Sequence, residues 1–99
     1  MTVIINDTGE TFPSIWHALF DDPAEIASLQ LRGDVLGAIA LKVQGWGLTQ
    51  AEAAKRLGIS QPRLNDLLRG RISRFSLDAL VKIATTAGIG FNLEFKDAA

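Results

Sequence analysis

The sequence contains no cysteine and only one histidine, His17, among its 99 residues. The missing thiols exclude disulfides and thiolate metal sites, and they fit a reducing cytoplasm. A lone histidine gives no basis for a metal site, so we expect neither a metal nor a cofactor. Nucleophile–base pairs, paired carboxylates and phosphate-binding loops are also missing, so we expect that the protein is not an enzyme.

No apolar run is long enough to span a membrane and no secretory signal opens the chain, so we expect a cytoplasmic protein. Hydrophobic residues make up 47% of the chain, enough for the core of one compact domain. The net charge of −1 is unevenly distributed: residues 1–34 carry −5, residues 35–75 carry +5 and residues 76–99 carry −1. Local charge governs the attraction to phosphate, so the central segment suits nucleic acid. We expect the acidic residues 1–34 to face away from nucleic acid or to bind another partner.

Two short helices joined by a tight turn are predicted in this basic segment, within TQAEAAKRLGISQPRLNDLLR, which begins at Thr49. Thr49 and Glu52 have the spacing of a capping box. Gly58 is placed to end the first helix, Ser60 to cap the second, and Pro62 falls in its first turn. The inward-facing residues recur at helical spacing and are Ala53, Ala54, Leu57, Ile59, Leu64, Leu67 and Leu68.

This pattern predicts a helix-turn-helix, whose second helix enters the major groove of DNA. Glutamine and asparagine pair with adenine, arginine with guanine and aspartate with cytosine, while proline offers an apolar contact to a thymine methyl group. Helical rotation turns the polar side of the second helix outward. The predicted DNA-binding residues, of which Gln50, Arg69, Arg71 and Arg74 are assigned to phosphates, are Gln50, Ser60, Gln61, Pro62, Arg63, Asn65, Asp66, Arg69, Arg71 and Arg74.

A helical hairpin of this kind also occurs as a plain packing unit or as a protein-docking surface, and the sequence leaves these alternatives open. Asp66 lies three residues from both Arg63 and Arg69, which is the spacing of ordinary ion pairs on a helix surface. Trp46, between two glycines, is expected to pack over the edge of the core or to lie against the DNA backbone.

The flanking segments divide the chain into an arm with a short helix at residues 1–22, the DNA-binding domain at 23–90 and a strand with a tail at 91–99. Ser14 is placed to cap the short helix, which displays Trp16 and Phe20 to the core or to a partner. A long helix is predicted from Pro23 to Val43 or Gln44, broken by the Gly-Trp-Gly that follows, and another from Leu77 to about Ala87. Phe91, Leu93 and Phe95 alternate with polar residues as in a half-buried strand, which needs a pairing partner. That partner is residues 3–5, another protein or a second copy of the strand, which would form a two-fold homodimer.

The segment LTQAEAAKRLGISQPRLNDLLRG resembles the Cro/cI-type repressors, often called the XRE family. The continuation FSLDALVKIATTAGIGFNLEF is similar to the small chromosomal antitoxins of the HigA type, although stand-alone XRE regulators share the scaffold. The resemblance covers about residues 24–96 and matches residues 1–20 less well. Pro62 and Asp66 depart from the polar uncharged or basic residues that better-known repressors often carry there, so the base preference stays open.

The resemblance implies an all-α, five-helix, lambda-repressor-like fold and a dimer that represses its own operon by binding the operator. It also implies a partner toxin, a RelE- or HigB-like ribonuclease that cleaves mRNA on the ribosome. An alternative is a protein-interaction module whose main task is neutralising the toxin, through residues 1–20 or the C-terminal strand. A regulator without a toxin is a further alternative. The residues expected at a dimer or partner interface are Trp16, Phe20, Phe91, Leu93 and Phe95.

Overall fold

The computed structural model describes residues 22–97, which fold into four α-helices and one 3-10 turn. Helix α1 covers Pro23–Trp46, α2 covers Gln50–Leu57, α3 covers Gln61–Leu68 and α4 covers Leu77–Thr86. The 3-10 turn, Ile72–Arg74, lies between α3 and α4. The predicted all-α class is therefore confirmed for these residues, and the predicted helix at residues 14–20 lies outside them.

One hydrophobic core joins the helices. Helix α1 packs along α4 and also touches α3 and the 3-10 turn, while α2 packs against α3 and α4. The largest fully buried side chains come from α1, from α3, from the end of the 3-10 turn and from α4, and they are Ile39, Leu64, Leu67, Phe75 and Leu80. The leucine stripe predicted for the second helix of the motif is thus the face that α3 turns inward.

Helix α1 is longer than expected. It continues through Gly45 and Trp46 and ends only at Gly47, whose φ of 65° is left-handed. A glycine inside a helix weakens it without breaking its hydrogen bonds, whereas a left-handed residue stops it. The predicted break is therefore real, but Gly47 alone makes it. Asp22 caps the other end of the helix and accepts a hydrogen bond from the Ala24 N–H.

The predicted C-terminal strand is not formed. Residues 89–97 adopt no regular secondary structure, and Phe91, Leu93 and Phe95 are exposed, Phe95 by 89%. Strand backbone is stable only when a neighbouring strand pairs with its N–H and C=O groups. The described residues supply no such neighbour, and residues 3–5, the other candidate within the chain, lie outside the described range.

Candidate nucleic-acid interface

The turn between α2 and α3 has the local geometry that the sequence predicts. The Glu52 N–H donates to Thr49 Oγ1 at 3.1 Å, and the Thr49 N–H donates to Glu52 Oε1 at 3.0 Å, which completes the capping box. Gly58 adopts a φ of 73°, and the next residue, Ile59, donates its N–H to the Ala54 carbonyl at 3.0 Å. Ser60 Oγ accepts from the Arg63 N–H at 3.2 Å and so caps α3.

Fewer side chains of α3 are exposed than helical rotation alone predicts. Gln61 and Pro62, at its leading end, are exposed, as is Arg69 just beyond its last turn. Gln50, at the start of α2, and Ser60, which caps α3, are also exposed. Arg63, Asn65 and Asp66, by contrast, are each half-buried. Arg63 and Asp66 contact the segment 70–75, which we call the arginine loop because it carries Arg71 and Arg74.

Arg63 is held against the arginine loop by two contacts. Its guanidinium lies 4.0 Å from the centroid of the Phe75 ring. The Nη1 atom also donates to the Arg74 carbonyl at 2.8 Å. Stacking and hydrogen bonding together fix a planar guanidinium firmly. The side chain predicted to recognise guanine is thus engaged within the protein, and its contact with DNA stays a prediction.

Asp66 pairs with neither of the arginines that helical spacing indicated. Its Oδ1 atom accepts hydrogen bonds from Nη1 of Arg71 and Nη1 of Arg74, both at 3.0 Å. Partial desolvation raises the pKa of Asp66, but the hydrogen bonds from Arg74 and Arg71 and their positive charges outweigh it and hold the pKa below its ordinary value of 3.8. Asp66 is therefore a charged bridge between two arginines at neutral pH.

Arg32 is a contributor that the sequence analysis missed. From α1 it reaches across to the arginine loop, where its Nη1 donates to the carbonyls of Ile72 at 3.4 Å and Phe75 at 3.2 Å. One signal was available in the sequence: Arg32 is the only basic residue among the first 34 residues, which otherwise carry six acids. The partner carbonyls lie 40 or more positions away, and no sequence pattern indicates them.

Trp46 packs at the edge of the core, as one of its two predicted placements required. The Arg56 guanidinium lies 4.2 Å from the centroid of its ring. This contact joins the end of α1 to α2. The placement of Trp46 against the core is therefore confirmed.

The charge of the surface is strongly positive around the motif. From Gln61 to Phe75 the chain carries four arginines and a single acid, Asp66. Residues 22–97 contain no group of three or more histidine, cysteine, aspartate or glutamate side chains that could hold a metal ion. In the same range, none of the helices combines the length and the apolar character that crossing a bilayer requires. What the motif offers is amide, guanidinium and hydroxyl groups, which are ligands for bases and phosphates.

Comparison with known protein families matches residues 19–96 to a family described as a helix-turn-helix domain. The chain belongs to this family. The match includes all four helices and the arginine loop, and it agrees with the capped hairpin of α2 and α3. No curated protein matches the chain significantly. The assignment to the HigA-type subgroup of XRE proteins stays a prediction.

We expect Arg63→Ala to lower the free energy of unfolding by about 1–2 kcal/mol, because the Phe75 ring loses its cover and the Arg74 carbonyl loses a donor. Arg69→Ala is the matched control, since that arginine is exposed and the structure shows no partner for its side chain within residues 22–97. Its effect should stay within about 0.5 kcal/mol. Chemical denaturation followed by circular dichroism measures both. Equal effects of the two substitutions would contradict the bracing role of Arg63.

Proposed function

We propose that the protein is a sequence-specific DNA-binding repressor of transcription. The observation that supports this most is the exposed leading end of α3, flanked by an arginine loop that hydrogen bonds hold against α1 and α3. A helix-turn-helix in this form can place the N-terminal residues of α3 against base edges while nearby cations hold the sugar–phosphate backbone. A protein bound at an operator would repress by excluding the polymerase.

Base reading is assigned to Gln61, Pro62 and Asn65. The two amide side chains suit adenine, and the exposed Pro62 suits a thymine methyl group. Arg63 and Asp66 are left out of direct base reading in this proposal because both are engaged by the arginine loop. The proposed site therefore favours A·T-rich half-site positions.

Phosphate binding is assigned to Gln50, Arg69, Arg71 and Arg74, with Ser60 at the start of α3 close to the same backbone. Three of these residues are cations, and each neutralised phosphate contributes about −0.9 to the slope of log affinity against log salt concentration. We therefore expect a slope of about −3 for each bound subunit.

We further propose that the protein acts as a homodimer. The support is the exposed apolar run Phe91, Leu93 and Phe95, whose backbone has no pairing strand among residues 22–97. Two copies of the run could pair around a two-fold axis, in keeping with two half-sites on DNA.

Sedimentation velocity should give the mass of two chains for the unmodified protein. The double variant Leu93→Ser with Phe95→Ser should give the mass of one chain. A single-chain mass for the unmodified protein at micromolar concentration would reject the homodimer.

A second candidate function is neutralisation of a toxin, which the resemblance to HigA-type antitoxins suggests; the exposed apolar run would contact the toxin if it does not pair with a second copy. On this proposal the protein pairs with a RelE- or HigB-like ribonuclease and represses the operon that encodes both. The acidic residues 1–20, with Trp16 and Phe20, would bind the toxin, and the arginine loop would stay free for DNA.

Deletion of residues 1–20 should weaken binding of the toxin encoded beside this protein by at least tenfold, because Trp16 and Phe20 would be the anchors of the interface. Operator affinity should be unchanged in the same variant, which serves as the internal control for folding. Isothermal titration calorimetry measures the toxin affinity. A folded truncation that binds the toxin as tightly as the full chain would reject this role for the segment.

The DNA-binding proposal is tested by fluorescence-anisotropy titration against a duplex from the region upstream of the coding sequence. A scrambled duplex is the reference, and several salt concentrations give the slope. Specific binding predicts a preference of about a thousandfold or more for the upstream duplex. Equal, weak binding to both duplexes would contradict the proposal and leave toxin neutralisation as the better account.

Gln61→Ala and Asn65→Ala should each weaken binding to the upstream duplex by about 10- to 100-fold, the value of one bidentate base contact. Binding to the scrambled duplex should not change, because neither residue is assigned to phosphate. Gln30→Ala is the matched control, since Gln30 is an exposed amide on α1 outside the motif. Equal losses on both duplexes would mean that the two amides do not read bases.

A further inference from the structure

Asp66 is an unusual residue for a surface that is to meet DNA. It is the only acid between Gln61 and Phe75, and the four cations of that segment are all arginines. A carboxylate near phosphates repels them. If charge alone determined the role of this residue, its removal would strengthen binding to any DNA.

The geometry gives the carboxylate another role. A single oxygen, Oδ1, accepts from Nη1 of both Arg71 and Arg74. The Asp66 side chain is only 18% exposed, whereas those of Arg71 and Arg74 are 41% and 56% exposed. Each guanidinium has five N–H donors, so one bond to Asp66 leaves four for other acceptors. The bridge thus holds two cations side by side with most of their donors still available.

The backbone strengthens the same arrangement. The Arg71 N–H donates to the Asp66 carbonyl at 3.0 Å, and the Arg74 N–H donates to the Arg71 carbonyl at 3.0 Å. Asp66 therefore contacts the arginine loop through its main chain and its side chain. An ordinary ion pair on a helix surface joins residues three or four apart, but the partners of Asp66 lie beyond the left-handed Gly70.

We propose that Asp66 is a positioning residue for DNA binding, which holds Arg71 and Arg74 as a preformed clamp for neighbouring phosphates. This inference rests on the proposed DNA-binding function. Two long, flexible side chains are confined before the DNA arrives, so less conformational freedom is lost on binding. The clamp fixes the register of α3 in the groove, because phosphate contacts set the orientation in which bases are read.

The inference is tested by Asp66→Asn, which keeps the shape of the side chain and removes its charge. Asp34→Asn is the matched control, because it removes one negative charge from an exposed position on α1. Both are titrated against the upstream and scrambled duplexes at one salt concentration. Asp34→Asn should leave binding unchanged or slightly tighter. Asp66→Asn should weaken binding to the upstream duplex by about tenfold, although it makes the protein more positive, and should not weaken binding to the scrambled duplex.

The same substitution in a variant without the two arginines distinguishes positioning of Arg71 and Arg74 from simple repulsion between Asp66 and phosphate. With Arg71→Ala and Arg74→Ala already in place, no clamp exists, so adding Asp66→Asn should tighten binding to both duplexes instead of weakening it. This reversal of sign is expected only if Asp66 acts through the two arginines. Thermal unfolding of each variant confirms that it is folded at the assay temperature. If Asp66→Asn is not folded, Asp66→Glu replaces it. The longer side chain of that variant displaces the carboxylate by one methylene and should also weaken binding to the upstream duplex.

A measurement without DNA examines the bridge itself. In the free protein, nuclear magnetic resonance of the arginine side chains should show restricted rotation of the Arg71 and Arg74 guanidinium groups, and this restriction should be lost in Asp66→Asn.

If the unmodified protein binds both duplexes equally in the titrations, the proposed function and this inference are both overturned. If Asp66→Asn keeps the preference of the unmodified protein for the upstream duplex, or binds that duplex more tightly, the inference alone is overturned.

Discussion

The attachment of Phe75 to the core is the contact on which the rest of the candidate site depends. Its ring is 1% exposed and lies beneath the Arg63 guanidinium. Its carbonyl accepts a hydrogen bond from Arg32 of α1. One residue thus joins the arginine loop to the core, to α3 and to α1. Moving the ring out of the core would lose its hydrophobic burial, so this contact stabilises the position of the loop residues that precede Phe75.

This attachment changes the part played by the charged residues. Arg63 and Asp66 would be base readers if α3 were considered alone, and in the folded protein they hold the loop beside it. The base-reading set that we propose is then short, with Gln61, Pro62 and Asn65. On this proposal, phosphate contacts supply a large share of the DNA affinity, so the affinity should depend strongly on salt concentration and on the order of the arginine loop.

The local features of the fold could be predicted from the sequence, and the long-range ones could not. The Thr49–Glu52 capping box, the left-handed Gly58 and the buried leucine stripe of α3 depend on residues a few positions apart, so their patterns are visible in the chain. The bond from Arg32 to the Phe75 carbonyl spans 43 positions. A backbone carbonyl carries no signal in the sequence, so this contact could only be found in the fold.

Two other outcomes have similarly physical causes. Helical spacing predicted Arg63 and Arg69 as the partners of Asp66. The left-handed turn at Gly70 instead brings Arg71 and Arg74 to the carboxylate. Helical spacing rules do not apply to residues beyond such a turn. The alternation of Phe91, Leu93 and Phe95 predicted a half-buried strand, and this prediction was wrong, because residues 89–97 form no strand and the three side chains are exposed. A strand also needs a neighbour, and the pattern cannot show whether one exists within the chain.

The central claim is that α3 and the arginine loop form one rigid surface before any ligand binds. Backbone ¹⁵N relaxation of the free protein tests it most directly, since it requires no knowledge of the operator. The account predicts order parameters of about 0.85 for residues 71–75, equal to those of α3. Values below about 0.6 in these residues, with α3 still rigid, would show a flexible loop and contradict the account.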